Sequence, residues 1–289
     1  MKTAIKPSIE RLINQAVAIE TESAQDAGAL GFMARAMIQA TLPHKKVEGT
    51  HFERRNGNYT LTLLAPPSIG LPYGTIPRLL LAWLITEAVK TRSRELELGD
   101  NLSGFMRELD MVPTGGQWGS INRLKDQTRR LFCSTVSAIY EDGKKSAFMN
   151  QSIASNAMLW WEAKDPEQAA LWHSTVTLSE SFFNEVVSHP VPVDMRAVKA
   201  LKKSPLALDT YCWLTYRASY AQWPSVIPWP KLALQFGSEY TRQRDFKAAF
   251  LEELRKVTTV YSGAQAEPTE DGLLVQPSLT HVSMKGNKK

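Results

Sequence analysis

A chain of 289 residues with 43% hydrophobic content is long enough for two compact domains and has the apolar share of an ordinary folded protein. Its formal charge of +5 suits a polyanionic partner without demanding one. The two cysteines, Cys133 and Cys212, stand far apart, which suggests neither a disulfide framework nor a thiolate metal site, and the apolar run LLLAWLI is too short to cross a bilayer, so a cytoplasmic protein with no membrane partner is expected.

Residues from Ile5 to Thr41 carry helical periodicity. Ile9, Leu12, Ile13, Ala16 and Val17 form one apolar stripe, and after a break from Asp26 to Gly31, Phe32, Met33, Ala36, Met37 and Ala40 form another. Asn56-Gly57 between two alternating segments predicts a β-hairpin whose two turn positions both take positive φ. Pro66, Pro67, Gly70 and Pro72 then mark a loop. Residues 1–70 thus read as a helical and β-hairpin N-terminal segment, in which Phe32, Met37 and Leu42 are expected to build a homodimer or partner surface.

Residues 71–190 read as a first DNA-binding domain. A helix starts near Thr75 with Pro77 in its first turn, where a missing N–H costs nothing, and Leu80, Leu81, Leu84, Ile85 and Val89 supply its apolar stripe. A short segment from Glu95 to Leu98 follows, then a second helix from Asn101 or Ser103 to Met111. The loop VPTGGQWG breaks the chain, and a third helix opens at Ser120.

On that third helix Ile121, Leu124, Thr128, Leu131 and Phe132 gather on one side, and Asn122, Arg123, Asp126 and Arg130 gather opposite, flanked by Gln127 and Arg129. Such a basic helix is most often a solvated face. The short helix and Gly-rich turn before it change the balance, because helix, turn and basic helix make the helix-turn-helix arrangement. Arg and Asn can reach base edges in a major groove, while Lys125 and Arg129 are placed for phosphates. Ser120, Asn122, Arg123, Lys125, Asp126, Gln127, Arg129 and Arg130 are therefore the candidate DNA-binding residues. Ser134 to Tyr140 and His173 to Leu178 are expected to pair as a β-hairpin wing, with Lys144 and Lys145 exposed beside DNA. Asn156 to Trp161 and Trp172 are expected to be buried, and His189-Pro190-Val191-Pro192 marks a domain boundary.

Residues 191–280 repeat the pattern. Short helices from Asp194 to Leu201 and from Lys231 to Gln235 surround a longer one that starts at Ser204-Pro205. A long helix from Arg242 to Val257 follows, capped by Ser238 or Thr241, and Ala264 to Pro268 with Leu273 to Gln276 predicts a hairpin. Thr241, Arg242, Gln243, Arg244 and Lys247 near the start of that helix are the second set of candidate DNA contacts; Asp245, Glu252 and Glu253 confine the set to its first turns. Residues 281–289 read as a disordered basic tail. The expected fold class is mostly α with small β-hairpins, an α+β chain of tandem winged-helix domains.

No catalytic residue, metal site or cofactor is expected. The five histidines include no His-apolar-His pair, no Gly-x4-Gly-Lys-Ser/Thr loop occurs, and the carboxylates show no spacing typical of a two-metal site.

The words GFMARAMIQATLPHKK, FERRNGNYTLTLLAP, GLPYGTIPRLLLAWLITEAVKTRSRELELG and GFMRELDMVPTGGQWGSINRLKDQTRRLF, spanning about Gly31 to Phe132, resemble the plasmid-encoded RepA replication initiator family of Gram-negative bacteria. The resemblance implies winged-helix architecture and a plasmid replication initiator. Such a protein would bind repeated double-stranded sites (iterons) at an origin, help to open an AT-rich region, and recruit the host replication initiator and replicative helicase. A winged-helix transcriptional repressor is the alternative that the residues leave open.

Overall fold

The computed structural model describes residues 7–39, 41–99, 101–161, 174–237 and 240–282. The expected cap at Ser238, the burial of Trp172, the strand start at His173 and the tail beyond residue 282 lie outside the described residues. The fold mixes α and β, and the chain divides into two compact units, one of residues 34–190 and one built from residues 1–33 and 191–289.

The chain opens with α1 (Pro7–Thr21) and β1 (Leu30–Ala34). The unit of residues 34–190 then runs α2 (Arg35–Gln39), β2 (His51–Asn56), β3 (Tyr59–Leu64), α3 (Thr75–Thr91), β4 (Glu95–Glu97), α4 (Leu102–Glu108), α5 (Ser120–Phe132), β5 (Thr135–Glu141), β6 (Ser146–Ser152), β7 (Ala154–Met158), β8 (Thr175–Leu178) and α6 (Glu180–Ser188). The other unit resumes with β9 (Pro190–Asp194), α7 (Met195–Leu201), α8 (Pro205–Ala218), β10 (Ser225–Pro228), α9 (Trp229–Phe236), α10 (Gln243–Val260), β11 (Ala266–Pro268) and β12 (Gly272–Val275).

In the 34–190 unit the core forms where α3 packs against α5 and α6. Leu80, Leu84, Ile85 and Ala88 of α3, Leu124 and Leu131 of α5, and Phe182 and Val186 of α6 are fully buried; each large side chain of this kind contributes about 1.5–3 kcal/mol by leaving water. The start of α3 is fastened by Arg78. This buried guanidinium donates to the carbonyls of Gly74, Pro43 and Leu42 at 2.6, 3.2 and 2.7 Å, which offsets the cost of taking its charge out of water. Below it, Phe105 of α4 meets Trp83 edge-on at 5.0 Å and stacks on Trp161 at 5.6 Å.

Two antiparallel sheets complete this unit. One has the order β2-β3-β5-β6 and the other β4-β8-β7. The strand pair expected between 134–140 and 173–178 therefore does not form: β5 lies between β3 and β6, whereas β8 lies between β4 and β7. Local alternation marked both strands correctly but carries no information about partners. The β2–β3 hairpin forms one residue later than Asn56-Gly57 suggests. Asn56 pairs with Tyr59, so Gly57-Asn58 is the loop, and of these only Gly57 has positive φ, at 59°.

In the second unit α8 and α9 pack on α10, and Phe246, Phe250, Leu254 and Val257 line its buried face as the periodicity predicts. Phe250 is central, with Phe236, Phe246 and Trp229 at ring distances of 5.7, 5.5 and 6.2 Å. The β11–β12 hairpin forms where expected and is joined by β10, giving the order β10-β12-β11. The series α8, β10, α9, α10, β11, β12 thus matches α3, β4, α4, α5, β7, β8 element for element, with the same strand order in the two three-stranded sheets. The β5–β6 pair is an insertion that only the first series carries.

The segment 1–70 is not one body. Helix α1 packs on α7 and α10, whereas the β2–β3 hairpin joins β5 in the other unit. The second expected helix is instead strand β1, paired with β9, followed by the short α2. Apolar residues at 32, 33, 36 and 37 satisfy either period, and pairing with β9 selects the strand. Phe32, Met37 and Leu42 are buried side chains and so cannot form the expected surface. Nor are the first residues of the expected tail loose. Val282 is buried, and the Nδ1 atom of His281 lies 2.7 Å from the Tyr211 hydroxyl, which also accepts the Asp194 N–H at 2.9 Å.

Candidate nucleic-acid interface

Helix α5 begins without a side-chain cap on its own N-cap residue, Gly119. The turn before it does that work. Thr114 Oγ1 accepts the Ser120 N–H at 2.8 Å, the Thr114 carbonyl accepts the Ile121 N–H at 3.3 Å, and Ser120 Oγ accepts the Thr114 N–H at 2.8 Å while donating to the Val112 carbonyl at 2.6 Å. A glycine at 119 is required by space, since a Cβ there would sit 2.2 Å from the Thr114 carbonyl oxygen and 2.3 Å from that of Gly115. The turn between α4 and α5 is therefore fixed, and so is the start of α5.

The expected DNA-reading residues divide into two groups. Ser120 is only 6% exposed and is consumed in the turn. Gln127 is 4% exposed; its Oε1 accepts the Tyr73 N–H at 2.9 Å and its Nε2 donates to Asp126 at 3.1 Å. Arg130 turns back in the same way. Its side chain is 17% exposed, donates to Asp126 and to the Leu71 carbonyl, and lies over the Tyr73 ring at 5.7 Å. These three are corrections: Ser120 is taken up by the turn before α5, and Gln127 and Arg130, which the helical wheel places at or beside the outward face, instead hold the segment 70–73 against that side of α5.

The remaining group faces solvent. Asn122, Arg123, Asp126 and Arg129 are exposed, and among the described residues neither Arg123 nor Arg129 is held by an ion pair or a hydrogen bond from its guanidinium. Asn122 donates from Nδ2 to the Gly116 carbonyl at 2.8 Å, which ties the turn to the first turn of α5. Lys125 is half-buried and donates to the Trp161 carbonyl at 2.9 Å. A groove of about 490 Å³ runs beside it, lined by Lys125, Arg129 and Cys133 on one side and by Ala157, Leu159 and Trp161 on the other.

Lys144 and Lys145 are exposed, but they sit in the turn of the inserted β5–β6 pair rather than in the β7–β8 pair that follows α5 topologically. Their backbone N–H groups donate to Asp142 at 2.9 and 2.7 Å and hold its carboxyl below the usual range.

In the second unit α10 starts at Gln243, so Arg242 is the N-cap residue and Thr241, one position earlier, is no cap. Thr241, Arg242, Gln243 and Arg244 are all exposed, and Arg244 pairs with Asp245 at 3.4 Å. Lys247 is engaged within the fold, its Nζ lying 4.6 Å from the centre of the Trp229 ring. Nothing near Lys247 in the sequence points to Trp229.

Sequence reasoning passed over Trp118, an 83% exposed indole two residues before α5. Its signal was a large ring in a Gly-rich turn too short to bury it. Among the described residues no group of three His, Cys, Asp or Glu side chains could hold a metal, and no helix is long and apolar enough to cross a membrane.

The family described as plasmid-encoded RepA protein matches residues 71–224, more than half of the chain. No curated protein matches it. Among solved structures, the crystal structure of domains 2 and 3 of RctB aligns with a TM-score of 0.53 at 12% identity, covering 83% of this chain and 96% of that one. A selenomethionine derivative of RctB domains 2 and 3 aligns with a TM-score of 0.53 at 10% identity, covering 86% and 97%. At such identity the likeness is one of fold alone. The family match covers α3 to α8, including the turn and helix described above, and on that ground the chain belongs to the plasmid-encoded RepA family of replication initiators.

Proposed function

We propose that this chain initiates plasmid replication by binding double-stranded DNA at repeated origin sites through two winged-helix units, and that it does so by binding rather than by catalysis. The observation that carries the reading is Arg123 and Arg129 standing outward, without internal partners among the described residues, on a helix whose start is locked by its preceding turn. In each unit the series of three helices and a three-stranded sheet supports a winged-helix reading, in which α5 and α10 would be the reading helices and the β7–β8 and β11–β12 pairs the wings. Asn122 and Arg123 address base edges, while Lys125 and Arg129, along the groove beside α5, address a phosphate. Arg242, Gln243 and Arg244 play the corresponding part on α10, with Thr241 beside them.

Two reading helices on one chain favour an asymmetric or directly repeated footprint of about 20 base pairs. Bound at several such sites, the protein would strain an adjacent AT-rich region and present surfaces to the host initiator and replicative helicase. Cleavage protection of a cloned origin by the purified protein tests the reading. Protected repeats with a regular spacing are expected, and an origin fragment bound no better than random duplex at physiological salt would reject it.

A further inference from the structure

Trp118 has no structural duty that its exposure would explain. The residue is 83% exposed, although a buried indole is among the largest apolar contributions a fold can gather. The turn that carries it is nevertheless rigid. Thr114 and Ser120 exchange hydrogen bonds across it, Asn122 is tied to Gly116, and two carbonyls leave no room for a side chain at Gly119. The indole is thus held at the N-terminal end of α5, the end that also bears Asn122 and Arg123.

We infer that Trp118 is the apolar reader of this interface, packing against the 5-methyl group of a thymine beside the base pair that Arg123 addresses. This rests on the reading of α5 as a duplex-binding helix. In a helix-turn-helix the N-terminal residues of the second helix meet base edges. Those edges offer nitrogen and oxygen donors and acceptors and a single kind of apolar group, the thymine methyl, so an indole brought into the major groove has that one apolar partner. A protein partner fits the surroundings poorly. Gly115, Gly116 and Gln117 precede the indole in the chain, Val112 is the one other large exposed apolar side chain of the turn, and a stable protein interface needs about 800 Å² from each side.

The test uses the full chain, an origin duplex chosen from the protected region, and the same duplex with single thymines replaced by deoxyuridine, which removes only the methyl group. Replacement at one position per site is expected to lower wild-type affinity about three- to tenfold, the worth of one or two buried methyl-sized groups. Trp118→Ala should lose a similar factor on the unmodified duplex, keep the wild-type melting temperature, and be indifferent to deoxyuridine at that position. Arg123→Ala should bind more weakly yet remain sensitive to it. Undiminished binding by Trp118→Ala, two losses that multiply, or a change in sedimentation in place of a change in DNA affinity would overturn the assignment. If the wild type itself does not distinguish the origin duplex from a random one, the reading of α5 fails first and this inference with it.

Discussion

Arg130 donates from Nε to Asp126, one turn earlier on α5, at 2.8 Å, and its guanidinium also reaches the Leu71 carbonyl at 3.3 Å. The pair turns a residue that the helical wheel places outward into a clamp on the segment leading into α3. It also separates two arginines on one helix into different jobs, which measurement can tell apart.

Arg130→Ala should destabilise the 34–190 unit by about 1–3 kcal/mol, because the Leu71 contact is lost and Asp126 is left without its cation. Arg123→Ala should leave stability within about 0.5 kcal/mol of wild type and weaken specific DNA binding by about 1–3 kcal/mol. Urea midpoints and titrations with origin and random duplexes read the two effects separately. Equal losses of stability in both variants would contradict the division.

Gly119→Ala should cost about 2–3 kcal/mol, since its Cβ would stand well inside van der Waals contact with two carbonyl oxygens and the turn must open to admit it. Ser120→Ala should cost about 1–2 kcal/mol by stripping partners from Thr114 and Val112. A direct DNA contact at Ser120 would instead show as lost affinity in a variant of unchanged stability.

On α10, Arg242→Ala is expected to reduce the salt dependence of DNA binding by about one counterion, whereas Lys247→Ala should leave that slope unchanged and lower stability by about 0.5–2 kcal/mol through loss of the contact with the Trp229 ring. Affinity measured from low to high salt, beside thermal melts, checks both.

His281 predicts a pH dependence. Burial lowers its pKa below the ordinary 6.5, the nearby Arg196 acts in the same direction, and Asp194 and Glu20 oppose them. The unfolded chain therefore takes up the proton first as pH falls. The stabilising contribution is complete above about pH 6.5 and is lost as pH falls through the depressed folded value, with a slope of at most one proton, about 1.4 kcal/mol per pH unit. Stability curves between pH 7.5 and 5 should be steeper for wild type than for His281→Asn. Parallel curves would show that the ring titrates alike in folded and unfolded chain.

The helices were largely legible because their apolar periods are strong: the buried faces of α5 and α10 are those the sequence marks. Strands with clear alternation, such as β2, β3, β5 and β12, were legible too, but β1, β6, β9 and β10 were not, and partners were not. The pairing of β4 with β8 joins Leu96 to Val176, and nothing near either residue names the other. At the candidate site the same limit operates. A helical wheel gives the direction of Arg130 and Gln127 but not the neighbouring segment that covers them, and the interlocking of Thr114 with Ser120 follows no standard capping spacing. The outward direction of Arg123 and Arg129 follows from the wheel because no distant segment covers them.

The packing of α1 on α7 and α10 has a consequence for synthesis. Helix α1 leaves the ribosome before either partner, yet Ala16 and Ile19, buried in the finished protein, have no cover until α7 and α10 have been translated. The 34–190 unit can close in the interval, so it should mature first, and the two segments that build the other unit should meet afterwards.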